Sequence, residues 1–179
     1  RPSSPGLFDD ADNRFKKDPG YRNYVDAIDE IWFFFDVEEK DIGNWTNRLE
    51  IIKRLRKLRK DPKIRVRLLM TTGCIEYWLM LHYRHLAPSL LTVPDKERML
   101  AQVVNMEPTY RKGNYDATAR IAQNYPTAVK NATIVLQNLL QEGMPGLEDT
   151  DERNRWLCTK CKTFSTVQEA IVFLEGLQS

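Results

Sequence analysis

Long hydrophobic runs are missing from this 179-residue chain. The longest apolar stretch, Cys74–Leu81, is interrupted by Glu76 and soon followed by Arg84, too short and too charged to cross a bilayer. Cysteine is scarce, and its odd number, three, argues against a disulfide framework and for a reducing compartment. The familiar enzyme signatures are also absent: no Gly-rich phosphate loop, dinucleotide fingerprint, nucleophile elbow or HExxH occurs. The acid sets that can be drawn, Glu76 with His82 or Asp26, Asp29 and Glu30, look like ordinary helix-surface charges, so the chain reads as a non-enzyme. No secretory signal and no initiator Met is present, as in an excised or trimmed chain of the cytoplasm or nucleus.

What is present is charge of one sign gathered in one place. Between Arg48 and Arg67 stand ten basic residues and only two acids, Glu50 and Asp61, a local +8 in a chain whose formal total is +2. Such segregation creates a positive field that attracts phosphate or acidic protein even when the molecule is nearly neutral. At helical spacing Trp45, Leu49, Ile51, Ile52, Leu55 and Leu58 fall on one side and Lys53, Arg54, Lys57 and Lys60 on the other, which predicts a basic amphipathic helix from about Trp45 to Lys60. Like charges at that spacing repel with few acids to relieve them. The expected function is therefore sequence-independent binding of RNA or another polyanion. The candidate contacts are Lys53, Arg54, Arg56, Lys57, Arg59, Lys60, Lys63, Arg65 and Arg67. The alternative is a helical protein-interaction adaptor that offers a partner an apolar surface, to which Phe34 would contribute, with the basic run serving nuclear import.

The apolar pattern predicts helices nearly throughout. Tyr24, Val25, Ile28, Ile31, Trp32 and Phe35 recur at helical spacing and place a first helix over residues 21–37. Lys63–Leu68 alternates with period two, as a strand would, but no second run offers it a partner, so a helix from Pro62 to His85, broken near Thr71-Thr-Gly73, is expected instead. Thr92 with Pro94 and Asp95 should open a helix reaching Asn105. Further helices are expected over residues 114–124, 127–141 and 150–158, and a Ser165/Gln168 capping box should begin the last. The expected fold is one all-α domain of seven or eight helices over residues 21–179, preceded by a flexible arm, residues 1–20, poor in apolar periodicity.

The only two histidines, His82 and His85, are three apart, as are Cys158 and Cys161 in Cys-Thr-Lys-Cys. An i,i+3 histidine pair on a helix and a Cys-x-x-Cys turn make a candidate tetrahedral site for one structural zinc, His82, His85, Cys158 and Cys161. A compact helical chain with a basic helix and a zinc site of this kind resembles, in general texture, the matrix or accessory proteins of RNA viruses. That resemblance implies a viral accessory or host-factor antagonist role.

Overall fold

The computed structural model describes residues 6–179, and residues 1–5 of the expected arm lie outside the described residues. Among the described residues are nine α-helices and a two-stranded parallel sheet, so the all-α expectation is corrected to mixed α/β. Strand β1 (Glu30–Val37) and strand β2 (Arg65–Thr72) form the sheet. By its contacts the chain divides into two units, residues 1–33 with 43–68 and residues 34–42 with 69–179, and each strand begins in the first and ends in the second.

The correction turns on Ile31-Trp-Phe-Phe-Phe35. A run apolar all round satisfies helical spacing by default, yet aromatic and β-branched residues in an unbroken short run suit a strand equally well, here one that buries Phe33 and Val37 and leaves Phe34 exposed. With that run a strand, Arg65–Thr72 acquires the partner that the sequence alone does not offer it. Helix α3 (Trp45–Arg56) then crosses between the two strands, as a parallel pair demands. It buries Trp45, Ile51, Ile52 and Leu55, on the side the spacing indicates, and ends at Arg56 rather than Lys60.

Residues of the expected arm fold in the first unit. Helix α1 (Leu7–Lys17) buries Phe8 and Phe15, and the short α2 (Pro19–Arg22) follows, capped by Asp18 accepting from the Gly20 N–H at 2.8 Å. The Phe8 ring stacks on Phe33 of β1 with centroids 4.2 Å apart, and the Arg48 guanidinium of α3 sits 5.1 Å above the same ring. Two phenylalanines seven apart suffice to dock a helix whose remaining positions are polar.

In the second unit β2 is covered on one edge by the chain at 164–166. Thr71 bridges antiparallel to Ser165, and the Met70 N–H donates to the Thr166 hydroxyl at 2.8 Å. At the end of β2, Gly73 turns the chain at φ +73, and a Cβ there would lie 2.7 Å from the Leu90 carbonyl oxygen. Only glycine satisfies both conditions. Helix α4 (Ile75–Leu81) follows, buried from Glu76 to Leu81. It packs on α5 (Val93–Met106) and on α7 (Tyr125–Gln141), in a core with Tyr77, Met80, Leu81, Met99, Val103 and Ile121. Helix α5 opens on the Thr92/Asp95 capping box. Helices α6 (Tyr115–Ala122), α8 (Asp151–Thr159) and α9 (Gln168–Gly176) complete the unit. Helix α9 begins at Gln168 with Val167 at its N-cap, so the expected Ser165/Gln168 capping box does not form; the Gln168 side chain instead donates to the Ser165 carbonyl at 2.8 Å, and the Ser165 hydroxyl accepts from the Val167 N–H. No described helix is long and apolar enough to cross a membrane.

Candidate functional site

The nine candidate phosphate contacts all belong to the first unit, but the fold uses them unequally. Arg67 is buried on β2 and pairs through two hydrogen bonds, 2.9 and 3.1 Å, with Glu30 of β1; its guanidinium also lies 5.7 Å from the centroid of the Trp32 ring. Burial alone would raise the Glu30 carboxyl, but hydrogen bonds from Arg67 and from the Trp32 indole hold it below the ordinary carboxylate range. Arg67 therefore holds the sheet together and is withdrawn from the surface.

Arg54 reaches Asp12 of α1 at 2.9 Å, and Lys53 pairs with Glu50 one turn earlier at 3.2 Å. Asp12 would also rise through burial, and its hydrogen bonds from Arg54 and Lys16 bring it down instead. Arg59 donates to the carbonyl oxygens of Pro62 and Asp26 at 2.7 and 3.0 Å and meets Asp29 at 3.2 Å, which fixes the turn after α3. Arg56 is half-buried and Arg65 exposed, each with further interactions of its own. Lys57, Lys60 and Lys63 remain: exposed, within seven residues, and with no ion pair among the described residues. The unpaired charge lies on the turn between α3 and β2.

A second arrangement lies in the other unit, outside the carboxyl ends of the strands, where open sheets with parallel strands offer their ligand crevices. Asp36 and Glu38 flank Val37 at the end of β1, and Gly73, Cys74 and Glu76 follow β2. Val93, Lys96, Glu97 and Leu100 of α5 and Lys112 complete a cavity of about 320 Å³. Glu76 is 1% exposed, accepts from the Tyr110 hydroxyl at 3.1 Å and lies 3.8 Å from the Lys112 Nζ. Glu38 is held below its ordinary range by hydrogen bonds from Lys40 and Lys96. Asp36 is exposed at the crevice mouth, its carboxylate has no hydrogen-bond or ion-pair partner among the described residues, and partial desolvation, then the charges of Glu76 and Glu38, push it upward. Burial also pushes the Cys74 thiol to about 11, so it stays protonated and is no nucleophile at neutral pH.

Of the carboxylates in this crevice only Glu76 stands out in the sequence, paired there with His82. The signal for Asp36 and Glu38 is Asp-x-Glu at the end of an apolar run, informative only if that run is a strand.

The four expected zinc ligands do not assemble. Helix α4 ends at Leu81, so His82 and His85 are not a helical i,i+3 pair. His82 is buried, its Nδ1 3.0 Å from the Trp78 carbonyl oxygen, and burial lowers its pKa toward the neutral imidazole. His85 is exposed. Cys158 packs against the Met70 sulfur at 3.5 Å, and Cys161 is half-buried at φ +55. Among the described residues no group of three or more His, Cys, Asp or Glu side chains is arranged to hold a metal ion.

The family model described as RloB-like protein matches residues 4–172. No curated protein and no solved structure matches the chain. The chain belongs to the RloB-like family.

Proposed function

We propose that this member of the RloB-like family binds nucleic acid or a comparable polyanion through the phosphate backbone. The lysine turn Lys57, Lys60 and Lys63 is the primary contact, and the exposed faces of Lys53 and Arg54 are secondary. The observation that carries this reading is the exposure of three closely spaced lysines that make no ion pair among the described residues, with Asp61 the one acid in their turn, while their neighbours are neutralised by Glu50, Asp12 and Asp29. An unpaired cation offers its whole charge to a phosphate, whereas a paired one must first give up its carboxylate. Lysine contacts of this kind position a backbone without reading bases. A gel-shift titration at low salt is the test. The triple variant Lys57→Ala, Lys60→Ala, Lys63→Ala should keep the fold and bind more weakly by about tenfold or more; unchanged affinity would remove the proposal.

One observation favours a second reading, in which the strand-end crevice acts on phosphate esters. Asp36 stands unpartnered where β1 ends, in a cavity that Lys96 and Lys112 also line. A hydrated divalent cation on Asp36 would relieve the repulsion from Glu76 and Glu38, and Mg²⁺ commonly binds through one or two carboxylates, its own water and a substrate phosphate. Calorimetric titration with Mg²⁺ or Mn²⁺ should show saturable binding that Asp36→Asn abolishes. Absence of binding at millimolar cation excludes this reading and leaves the first untouched.

A further inference from the structure

A separate cavity in the second unit, about 420 Å³, is lined by α8 and by the turn after α7. Its size lies in the range of small-molecule sites. Glu152, Arg155, Trp156 and Thr159 line it, and their spacing of three, four and seven residues puts all four on one stripe of α8, with Lys160 at the helix end. Gly143 and Pro145 form the other side. Gly143 adopts φ +103, and even a single added carbon there would stand 4.0 Å from the Trp156 indole nitrogen. Glycine thus permits the turn that lines the cavity beside the indole.

The chemistry of this lining is specific. Trp156 is half-buried, and its indole N–H donates to no group among the described residues. Arg155 and Lys160 are exposed and without ion pairs among the described residues, although the second unit as a whole carries more acids than bases. Glu152 is equally unpaired. The Thr159 hydroxyl already donates to the Arg155 carbonyl at 2.7 Å, so it can only accept from a ligand. An indole flanked by two free cations suits a planar ring that carries an anion, and the carboxylate suits an amino or hydroxyl donor on the same ligand.

We infer that this cavity binds a nucleotide unit, with the base against Trp156 and Pro145, the phosphate at Arg155 and Lys160, and an exocyclic amine or sugar hydroxyl donating to Glu152. A free nucleotide and a nucleotide within a single strand share this chemistry. The site belongs to a different unit from the lysine turn and does not depend on it.

Calorimetry on the full chain tests the inference with adenosine monophosphate, a short single-stranded oligonucleotide and inorganic phosphate as probes. Saturable binding of the first or second is expected at micromolar to millimolar concentration, with inorganic phosphate far weaker. The comparison is made in the Lys57→Ala, Lys60→Ala, Lys63→Ala background, which removes the lysine turn: there a strand that binds better than the mononucleotide identifies a chain as the source, and equal binding identifies the free nucleotide. Trp156→Leu should weaken binding about tenfold or more, the loss of one stacked base. The paired variant Arg155→Ala, Lys160→Ala, at exposed positions that leave the fold intact, should weaken it several-fold at low salt. No saturable binding of either nucleotide probe, or wild-type affinity in the paired variant, overturns the inference.

Discussion

In the unit of residues 1–33 and 43–68, fifteen Lys and Arg stand against nine Asp and Glu, a net +6; in the unit of residues 34–42 and 69–179, twelve stand against sixteen, a net −4. Abundance of one sign leads to opposite outcomes in the two. The basic unit has cations to spare, so the half-buried Glu30 and the buried Asp12 each find an arginine that holds the carboxyl below its ordinary range. In the acidic unit Asp36 has no such partner, and desolvation first, then the neighbouring carboxylates Glu76 and Glu38, push it upward. What is left unpaired in each is the minority of side chains that internal geometry cannot neutralise. Among those in the first are three lysines on a turn, and in the second a carboxylate at a strand end together with Glu152, Arg155 and Lys160 around α8.

The largest effect should come from the aromatic stack that turns a polar segment into part of the first unit. Phe8→Ala removes a ring that is 4% exposed and stacked on Phe33, and should cost roughly 3–5 kcal/mol in chemical denaturation. Wild-type stability in that variant would mean that α1 is dispensable after all.

Next is the contrast between used and unused cations. Arg67→Ala strands Glu30 on β1 and should cost about 3 kcal/mol, with polyanion affinity altered only as far as folding is. Lys60→Ala should do the reverse, weakening affinity while leaving the denaturation midpoint in place. If Arg67→Ala proves neutral to stability, the division between structural and available cations fails.

The pH dependence sharpens the same comparison with a smaller effect. Glu30, lowered in the folded state, contributes stability that is present above its unfolded pKa and lost as pH falls through its folded pKa. Asp36, raised in the folded state, has the opposite sign: its protonated form favours the fold, and that contribution is lost as pH rises through its folded pKa. Asp36→Asn should therefore raise the melting temperature modestly at neutral pH, with the gain shrinking toward zero in acid. A lower melting temperature at neutral pH would show that the Asp36 charge is stabilised by an interaction stronger than its carboxylate neighbours.

Local signals are legible where one element decides its own structure. The apolar stripe of α3, the Thr92/Asp95 cap and the break at Gly73 all depend on residues within a few positions of one another. Pairing is not legible. Residues 63–68 carry the alternation of a strand, yet their partner, Trp32–Phe35, is apolar on every side and fits either period, so the sequence alone favours a helix at both places. One ambiguous run thus conceals both strands and, with them, the strand ends that place Asp36 and Glu38. The basic residues are legible as a set, yet Arg54 finds Asp12 forty-two positions away, and Arg67 finds Glu30 only across the sheet. Spacing identifies cations; tertiary structure decides which of them remain available.

The most direct test of the central claim is the salt dependence of polyanion binding, compared between wild type and the triple variant Lys57→Ala, Lys60→Ala, Lys63→Ala. The slope of log affinity against log salt falls by about 0.9 for each phosphate left unneutralised on duplex DNA and about 0.7 on a single strand. If the lysine turn is the interface, the variant's slope should be shallower by about 2 to 3. The same slope in both proteins, at equal fold stability, would contradict the account.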